Sequence, residues 1–281
     1  LFEFDKMNIL VTGCNGFIGR ECASYFKNSG HTIYLTNRSN LNILNEKEVD
    51  NFFLNNEVDV VIHSAVRGGK RSHKKSYKDF LCNMDMYNNL SKHSDKFKLM
   101  FHFGSGAEYD LRKEIDKLKE EEIYDRYPVD FYGFSKKLIA KKIRKHDGNI
   151  INLRLFGCFG ALEDSDRMIK SSIRKILNNE PVIIHQNKKM DFFYVKDLFK
   201  VLEYYIENYN HQLPKDMNMC YTDKITLFEV AKIIYSLTDR VPNVIINNTG
   251  IGNSYTGDNT RLKGLHLSLI HISEPTRQAE I

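Results

Sequence analysis

Short apolar runs alternate along the chain with longer amphipathic or polar stretches. The run "NILVTG" at 8–13 precedes a helix-like stretch through Tyr25 and Phe26, which is followed by "HTIYLT" at 31–36. A helical segment around "EKEVDNFFLNN" leads to "VDVVIHSA" at 58–65, and a polar helix near 79–93, with Met84, Met86 and Tyr87 as core positions, leads to "FKLMFHFGS" at 97–105. Short β-rich runs separated by helical stretches predict parallel strands with helices on both faces. A long polar stretch at 108–128 follows, then a helix carrying "YGFSKKLIAKKIRK" and the run "NIINLRLF" at 149–156. Beyond Gly160 the alternation loosens into a helix at about 166–179, a short strand "PVIIH", an apolar "DFFYV" and a helix through Leu202. No linker rich in Gly, Ser or Pro divides the halves, so a smaller lobe growing from the sheet is expected rather than an independent second domain.

Directly after the first run comes "VTGCNGFIG", which spaces Gly13, Gly16 and Gly19 three residues apart. Between a strand and an amphipathic helix, such glycines permit a sharp turn, a close approach of backbone to a pyrophosphate, and tight helix–sheet packing. The unpaired N–H groups of the helix then face the phosphates. This predicts an α/β, Rossmann doubly wound parallel sheet with a smaller C-terminal substrate lobe. The expected boundaries are 7–157 for the dinucleotide-binding domain, which takes back about 186–220, and 158–265 for a truncated, mainly substrate-binding lobe. The cofactor set comprises Gly13, Asn15, Gly16, Phe17, Ile18 and Gly19 in the turn, with Ser64, Ala65 and Asn83 further on. Where an NAD site usually has an acid on the ribose 2′-hydroxyl, the chain reads "YLTNRSN". A guanidinium at Arg38 would pair with a 2′-phosphate, so NADP is favoured, with NAD as the alternative.

Composition narrows the class. A net charge of +5 over 281 residues, with basic and acidic side chains interspersed, leaves no nucleic-acid footprint. The five cysteines are odd in number, widely spaced and never CxxC, which argues against a disulfide framework or a zinc site and fits a reducing cytoplasm. No apolar run approaches the ~18 residues of a membrane span. The last fifteen residues, "LSLIHISEPTRQAEI", resemble translated transposase sequencing adapter, so residues 266–281 are set aside as a tail of adapter origin. "LFEFDK" ahead of Met7 is expected to be foreign too, with the native C-terminus missing.

Tyr132 and Lys136 lie one helical turn apart in "FYGFSKK", and Ser105 ends the fourth apolar run. A lysine ammonium beside a phenol is expected to lower its pKa, and a serine hydroxyl can share a hydrogen bond with a substrate carbonyl or alkoxide. All three are predicted at the carboxyl edge of the sheet, where open α/β folds bind ligands. His63, after an apolar strand, is read as packed near the cofactor rather than catalytic, and Cys158 as a buried small residue.

Together, the glycine turn, "VIHSA", "GSGAEY", Tyr132 with Lys136, "LRLFGCFG", "DFFYVKDL" and "YTGDNTRLKGL" resemble the extended short-chain dehydrogenase/reductase family over residues 7–265. "NRSNLNILN" and "AVRGGK" are similar to the GDP-fucose-synthase-like reductases within it. The resemblance implies a nucleotide-sugar substrate, a homodimer built on paired helices, and a catalytic Ser105, Tyr132 and Lys136, with Lys136 also holding the nicotinamide ribose. It assigns Arg38 to the 2′-phosphate, Asn42 to the adenine end, and Asn83 to a helix position that braces the site. Arg67, Arg167 and Lys189 become candidates for substrate binding. The family's usual Arg before "DF" is Met190 here, which leaves the nucleotide open.

The residues after Ser105 narrow the reaction. The family's 4,6-dehydratases carry Asp–Glu in the two positions that here hold Gly106 and Ala107, neither able to transfer a proton. Glu108, on a strand-like path, would face the other side. The Cys and His that serve epimerisation in fucose synthases correspond to Ala107 and Arg167. Reduction of a nucleotide-linked 4-keto-6-deoxy sugar by NADPH is the leading expectation. Epimerisation through a transient keto intermediate with bound NAD is the alternative, and a non-catalytic NADP-binding sensor or scaffold is the reading from another class.

Overall fold

The structure, a computed structural model, describes residues 6–69 and 73–269; the first five residues and residues 270–281 of the expected tail lie outside the described residues. The chain runs β1 (Asn8–Thr12), α1 (Phe17–Asn28), β2 (Thr32–Thr36), α2 (Glu46–Asn55), β3 (Val60–His63), α3 (Tyr77–Ser91), β4 (Leu99–Ser105) and β5 (Ile115–Leu118). It continues through α4 (Phe131–Lys145), β6 (Ile150–Leu155), β7 (Cys158–Phe159), α5 (Met168–Leu177), β8 (Val182–Asn187), β9 (Lys189–Met190), β10 (Phe193–Tyr194) and α6 (Val195–Glu207). Last come β11 (Asp216–Met219), β12 (Ile225–Thr226), α7 (Leu227–Ser236), β13 (Val244–Ile251), β14 (Tyr255–Gly257) and α8 (Thr260–Lys263).

Six strands form one parallel sheet in the order β11-β6-β4-β3-β1-β2. Its central strands β1, β3 and β4 are mainly apolar on both sides, as a sheet covered twice requires. Ile9, Val11, Ile62 and Phe101 face α1 and α6, where Tyr25 stacks on Phe199. Leu10, Val61, Met100 and Ile150 face α2, α3 and α4. The strand order reverses at β1, with β2 on one flank and β3 on the other, and the crevice at such a switch point is where this class of sheet takes a ligand.

Local signals start the helices. The Asn45 side chain accepts from the backbone of Lys47 and Glu48 ahead of α2, and Ser76 with Asp79 closes a capping box on α3. Asp130 caps α4 by accepting from the Gly133 N–H at 2.9 Å. Tyr132 and Lys136 are therefore set in register from the first turn of α4.

The remaining strands build smaller sheets. β12-β9-β14-β5 form a four-stranded sheet, and β8 with β13 a parallel pair packed on α5 and α7. The polar stretch at 108–128 is thus not featureless: it contains β5, flanked by 3₁₀ turns at 106–108 and 120–124, and β5 finds its partner in the distant β14. Of the residues set aside as a tail, Leu267 and Leu269 pack on the main core and the Ser268 carbonyl accepts from Lys200 Nζ at 2.9 Å.

Candidate active site

The glycine turn leaves β1 at Gly13, whose φ of +69° favours glycine and whose added Cβ would lie 2.6 Å from the Ala65 nitrogen. The Gly16 N–H closes the turn on the Gly13 carbonyl at 2.9 Å, and α1 begins with no capping side chain and no acid in its first turn. Asn15, Phe17, Ile18 and Gly19 follow on that turn. The first N–H groups of α1 are left for a ligand, and an anion is what they suit. Beside them, at the end of β3, the Ser64 hydroxyl donates to the Thr12 carbonyl at 2.6 Å, which draws Ser64 and Ala65 against the turn. The buried His63 ring lies 2.9 Å from the Thr12 hydroxyl.

Arg38 is exposed in the turn after β2. Asn37, Ser39 and Asn40 bind one another around it, with the Asn37 N–H donating to Asn40 Oδ1 at 2.7 Å. Asn42, farther along, is tied to the start of α2 through Glu48 Oε2 at 2.8 Å.

Ser105 ends β4 and opens the 3₁₀ turn at 106–108. Its hydroxyl accepts from the Ala107 N–H at 3.2 Å, and it stands close enough to the Tyr132 side chain to favour the phenolate. The Tyr132 phenol stands above its ordinary pKa, chiefly through burial and further through the Glu108 and Asp130 charges, against the pull of Ser105 and Arg167. This corrects the expectation that Lys136 would lower it. Lys136, only 4% exposed, directs Nζ to the Phe103 carbonyl at 2.6 Å and to His102 Nε2 at 3.5 Å. Burial brings Lys136 down to about 8, while the Glu108 charge acts in the opposite direction.

Asn83, expected among the cofactor ligands, spends its amide on the protein. It accepts from the Arg67 N–H at 2.8 Å and donates to the Arg67 carbonyl at 3.1 Å and to Ser135 Oγ at 3.0 Å. It ties the loop after β3 to the first turn of α4, and Arg67 is held there by its backbone. Arg167 begins α5, and its charge reaches the phenols of Tyr132 and Tyr255. Lys189 is exposed on β9, and its charge falls on Glu229 of α7.

Two groups escaped the sequence. The Tyr255 hydroxyl, on β14, also stands beside Ser105, next to Gly106, so two phenols converge on one serine. Glu108 does not face away: the 3₁₀ turn brings it inward, fully buried, with Oε2 at 2.6 Å from Arg154 Nε. The lone arginine in the apolar "NIINLRLF" was the available signal, since a buried guanidinium calls for a carboxylate. Gly106 is enclosed as well. A Cβ there would lie 2.5 Å from the Phe156 ring and 2.6 Å from the Tyr255 hydroxyl, which leaves no room for a dehydratase acid.

Comparison with known proteins gives the family and the fold. The GDP-L-colitose synthase of Yersinia pseudotuberculosis is 23% identical over 252 residues, covering 81% of each chain. A GDP-D-glycero-L-gluco-heptose synthase from Campylobacter jejuni, solved in the presence of NADPH, superposes with a TM-score of 0.81 at 18% identity over 97% of this chain and 96% of its own. The UDP-N-acetylglucosamine 4-epimerase of Bacillus cereus gives 0.75 at 24% identity, over 95% and 92%. Residues 9–220 match the NAD dependent epimerase/dehydratase family, and with more than half of its length covered the chain belongs to that family.

Proposed function

We propose that the protein is an NADPH-dependent reductase of a nucleotide-linked 4-keto-6-deoxy sugar, with Tyr132 giving the proton to the carbonyl oxygen. The observation that carries this reading is the approach of Tyr132 to Ser105 at the carboxyl end of β4, close enough for the serine to act on the phenol, with buried Lys136 one turn along α4 and no acid or base at Gly106 or Ala107. Ser105 orients the carbonyl and Tyr132, held protonated, donates to it as negative charge develops there. Without an acid–base pair beside Ser105, removal of water is not served.

The cofactor fits the chain's own residues. The uncapped start of α1 with Gly13, Asn15, Gly16, Phe17, Ile18 and Gly19 would cradle the pyrophosphate, Arg38 the 2′-phosphate and Asn42 the adenine end. Ser64 and Ala65 line the adjoining strand end, and Asn83 fixes the loop between them and α4. NADPH bound there supplies the hydride. Arg67, Arg167 and Lys189 offer positive charge for the substrate's phosphates, with Arg167 alone reaching the tyrosines. The nucleotide-sugar products named for the colitose and heptose synthases support the substrate class.

In this reading residues 7–157, with about 186–220, hold the cofactor, and 158–265 mainly hold the sugar nucleotide. Two copies pair through α3 and α4, where Tyr77 and Phe131 are 58% and 40% exposed. Five free cysteines suit a reducing cytoplasm, and among the described residues no helix is long and apolar enough to cross a membrane. The test is mass spectrometry of GDP-, dTDP-, UDP- and CDP-4-keto sugars incubated with NADPH. A gain of two hydrogens is expected; unchanged mass with altered retention would replace reduction by epimerisation.

A further inference from the structure

We infer that Glu108, through its ion pair with Arg154, is a positioning residue for the Ser105 turn and sets a negative charge behind Ser105, Tyr132 and Lys136. This rests on the reading that Ser105, Tyr132 and Lys136 carry the chemistry. The geometry begins at Gly104, the register partner of Arg154 on the neighbouring strand. A Cβ at Gly104 would lie 2.3 Å from Glu108 Oε1, so its absence lets the carboxylate fold back over the end of β4. From there Oε1 accepts from the Ser105 N–H at 2.8 Å, while Oε2 meets Arg154 Nε at 2.6 Å. The Ser105 hydroxyl accepts from the Ala107 N–H, so the turn is closed from both ends.

Arg154 is itself fixed. It donates to Asn218 Oδ1 at 3.0 Å, lies 2.8 Å from Asp216 Oδ1, and sits over the Tyr109 ring at 5.2 Å, wholly buried. Buried ion pairs contribute little net stability compared with apolar residues of similar volume. This one, set directly behind Ser105, has a consequence that packing alone would not give.

That consequence is electrostatic. Lys136 is faced by His102 of β4 and His63 of β3, both held below the ordinary imidazole range first by burial and then by the Lys136 charge. Glu108 is the carboxylate whose charge acts on Lys136, and it favours the ammonium. Tyr132 is faced by Ser105, by Arg167 ahead of α5, by Asp130 at the start of α4, by Tyr255 of β14, and by Lys75, whose Nζ lies 5.3 Å from the ring centroid. Among these, the Glu108 charge disfavours the phenolate. One carboxylate thus favours the protonated form of both, adding to the effect of burial at Tyr132 and opposing it at Lys136, in the sense that a group donating a proton to a carbonyl requires.

The test reads Lys136 directly, by ¹³C NMR of its ε-carbon across pH, with Lys136→Met for assignment. In Glu108→Gln, whose amide oxygen can still accept from Ser105, the Lys136 transition should fall by roughly half a pH unit or more. In Glu108→Gln with Arg154→Met it should stay at the lowered position, because the charge that acts on Lys136 is that of Glu108. Glu108→Asp, which keeps the charge but shortens its reach, should leave the transition within about 0.2 pH unit and lower kcat on the keto sugar by about tenfold. An unchanged Lys136 transition in Glu108→Gln, or a double variant at the wild-type position, overturns the electrostatic role; an unchanged kcat in Glu108→Asp overturns the positioning role. Should Glu108→Gln not fold, the Glu108→Asp and double variants still decide. If the wild type reduces no keto sugar while its Lys136 transition moves as expected, the proposed reaction fails and the electrostatic assignment holds.

Discussion

Lys136 donates to the main-chain carbonyl of Phe103 at 2.6 Å, two residues before the strand ends at Ser105. The contact anchors the lysine to the strand that presents the serine. Burial disfavours the charged form of an amine, so its proton leaves near 8 rather than at the ordinary 10.5. The ammonium is complete below that value and lost as pH rises through it. Reductase kcat should therefore fall across an alkaline limb near pH 8, to be measured from pH 6 to 10 with NADPH saturating. A flat profile to pH 10 would remove Lys136 from the reacting group. The same shift makes folding stability rise between about 8 and 10.5, because the unfolded chain there binds the proton that the native lysine has released.

Tyr132→Phe removes a single oxygen from the pair with Ser105. If Tyr132 is the proton donor, kcat should drop by about 10²–10⁴-fold while NADPH affinity, followed by fluorescence, changes little. Undiminished turnover would return Tyr132 to the standing of a core aromatic.

The sheet was legible because its strands are apolar on both faces: Val60, Val61 and Ile62 are all buried, and so is each residue of β4. β5 was not, since its buried Ile115 and Leu118 flank two exposed charged residues and its partner lies near the end of the chain. Glu108 was misread for a related reason. A strand would have carried it outward, but one turn of 3₁₀ helix brings it back to Arg154. The Tyr132–Lys136 spacing was read correctly as one helical turn, yet spacing carries no information on where an ammonium goes; the Phe103 carbonyl took it. Nothing around Tyr255 in "NSYTGD" marks it as a neighbour of Ser105, because that meeting depends on β14 joining the lobe sheet.

Asn83 joins the loop after β3 to α4, beside the ion pair of Lys75 with Asp130. It is 2% exposed, and both ends of its amide are used. Asn83→Leu leaves the Arg67 N–H without its acceptor and Ser135 without its donor, a loss of about 1–3 kcal/mol. Urea unfolding should show a lower midpoint at unchanged slope, and kcat should fall as the first turn of α4 loosens. A variant as stable as the wild type would mean that the loop after β3 finds other partners.

Arg38 stands exposed at the end of β2, in a turn held by Asn37, Ser39 and Asn40 rather than by the arginine itself. Removing it should cost the fold almost nothing, since its side chain is not part of those bonds. Its effect should fall on the cofactor. A charge-assisted contact to a 2′-phosphate is worth about 1.5–3 kcal/mol, or roughly 10–150-fold in affinity, and NADH lacks the group. Arg38→Ala should therefore lower the NADPH-over-NADH preference in kcat/KM by at least about tenfold, chiefly through weaker NADPH binding, with NADH kinetics unchanged. Adding salt should narrow the wild-type preference, as for any exposed charge pair. Equal loss with both cofactors would show that Arg38 shapes the adenine end rather than reading the phosphate.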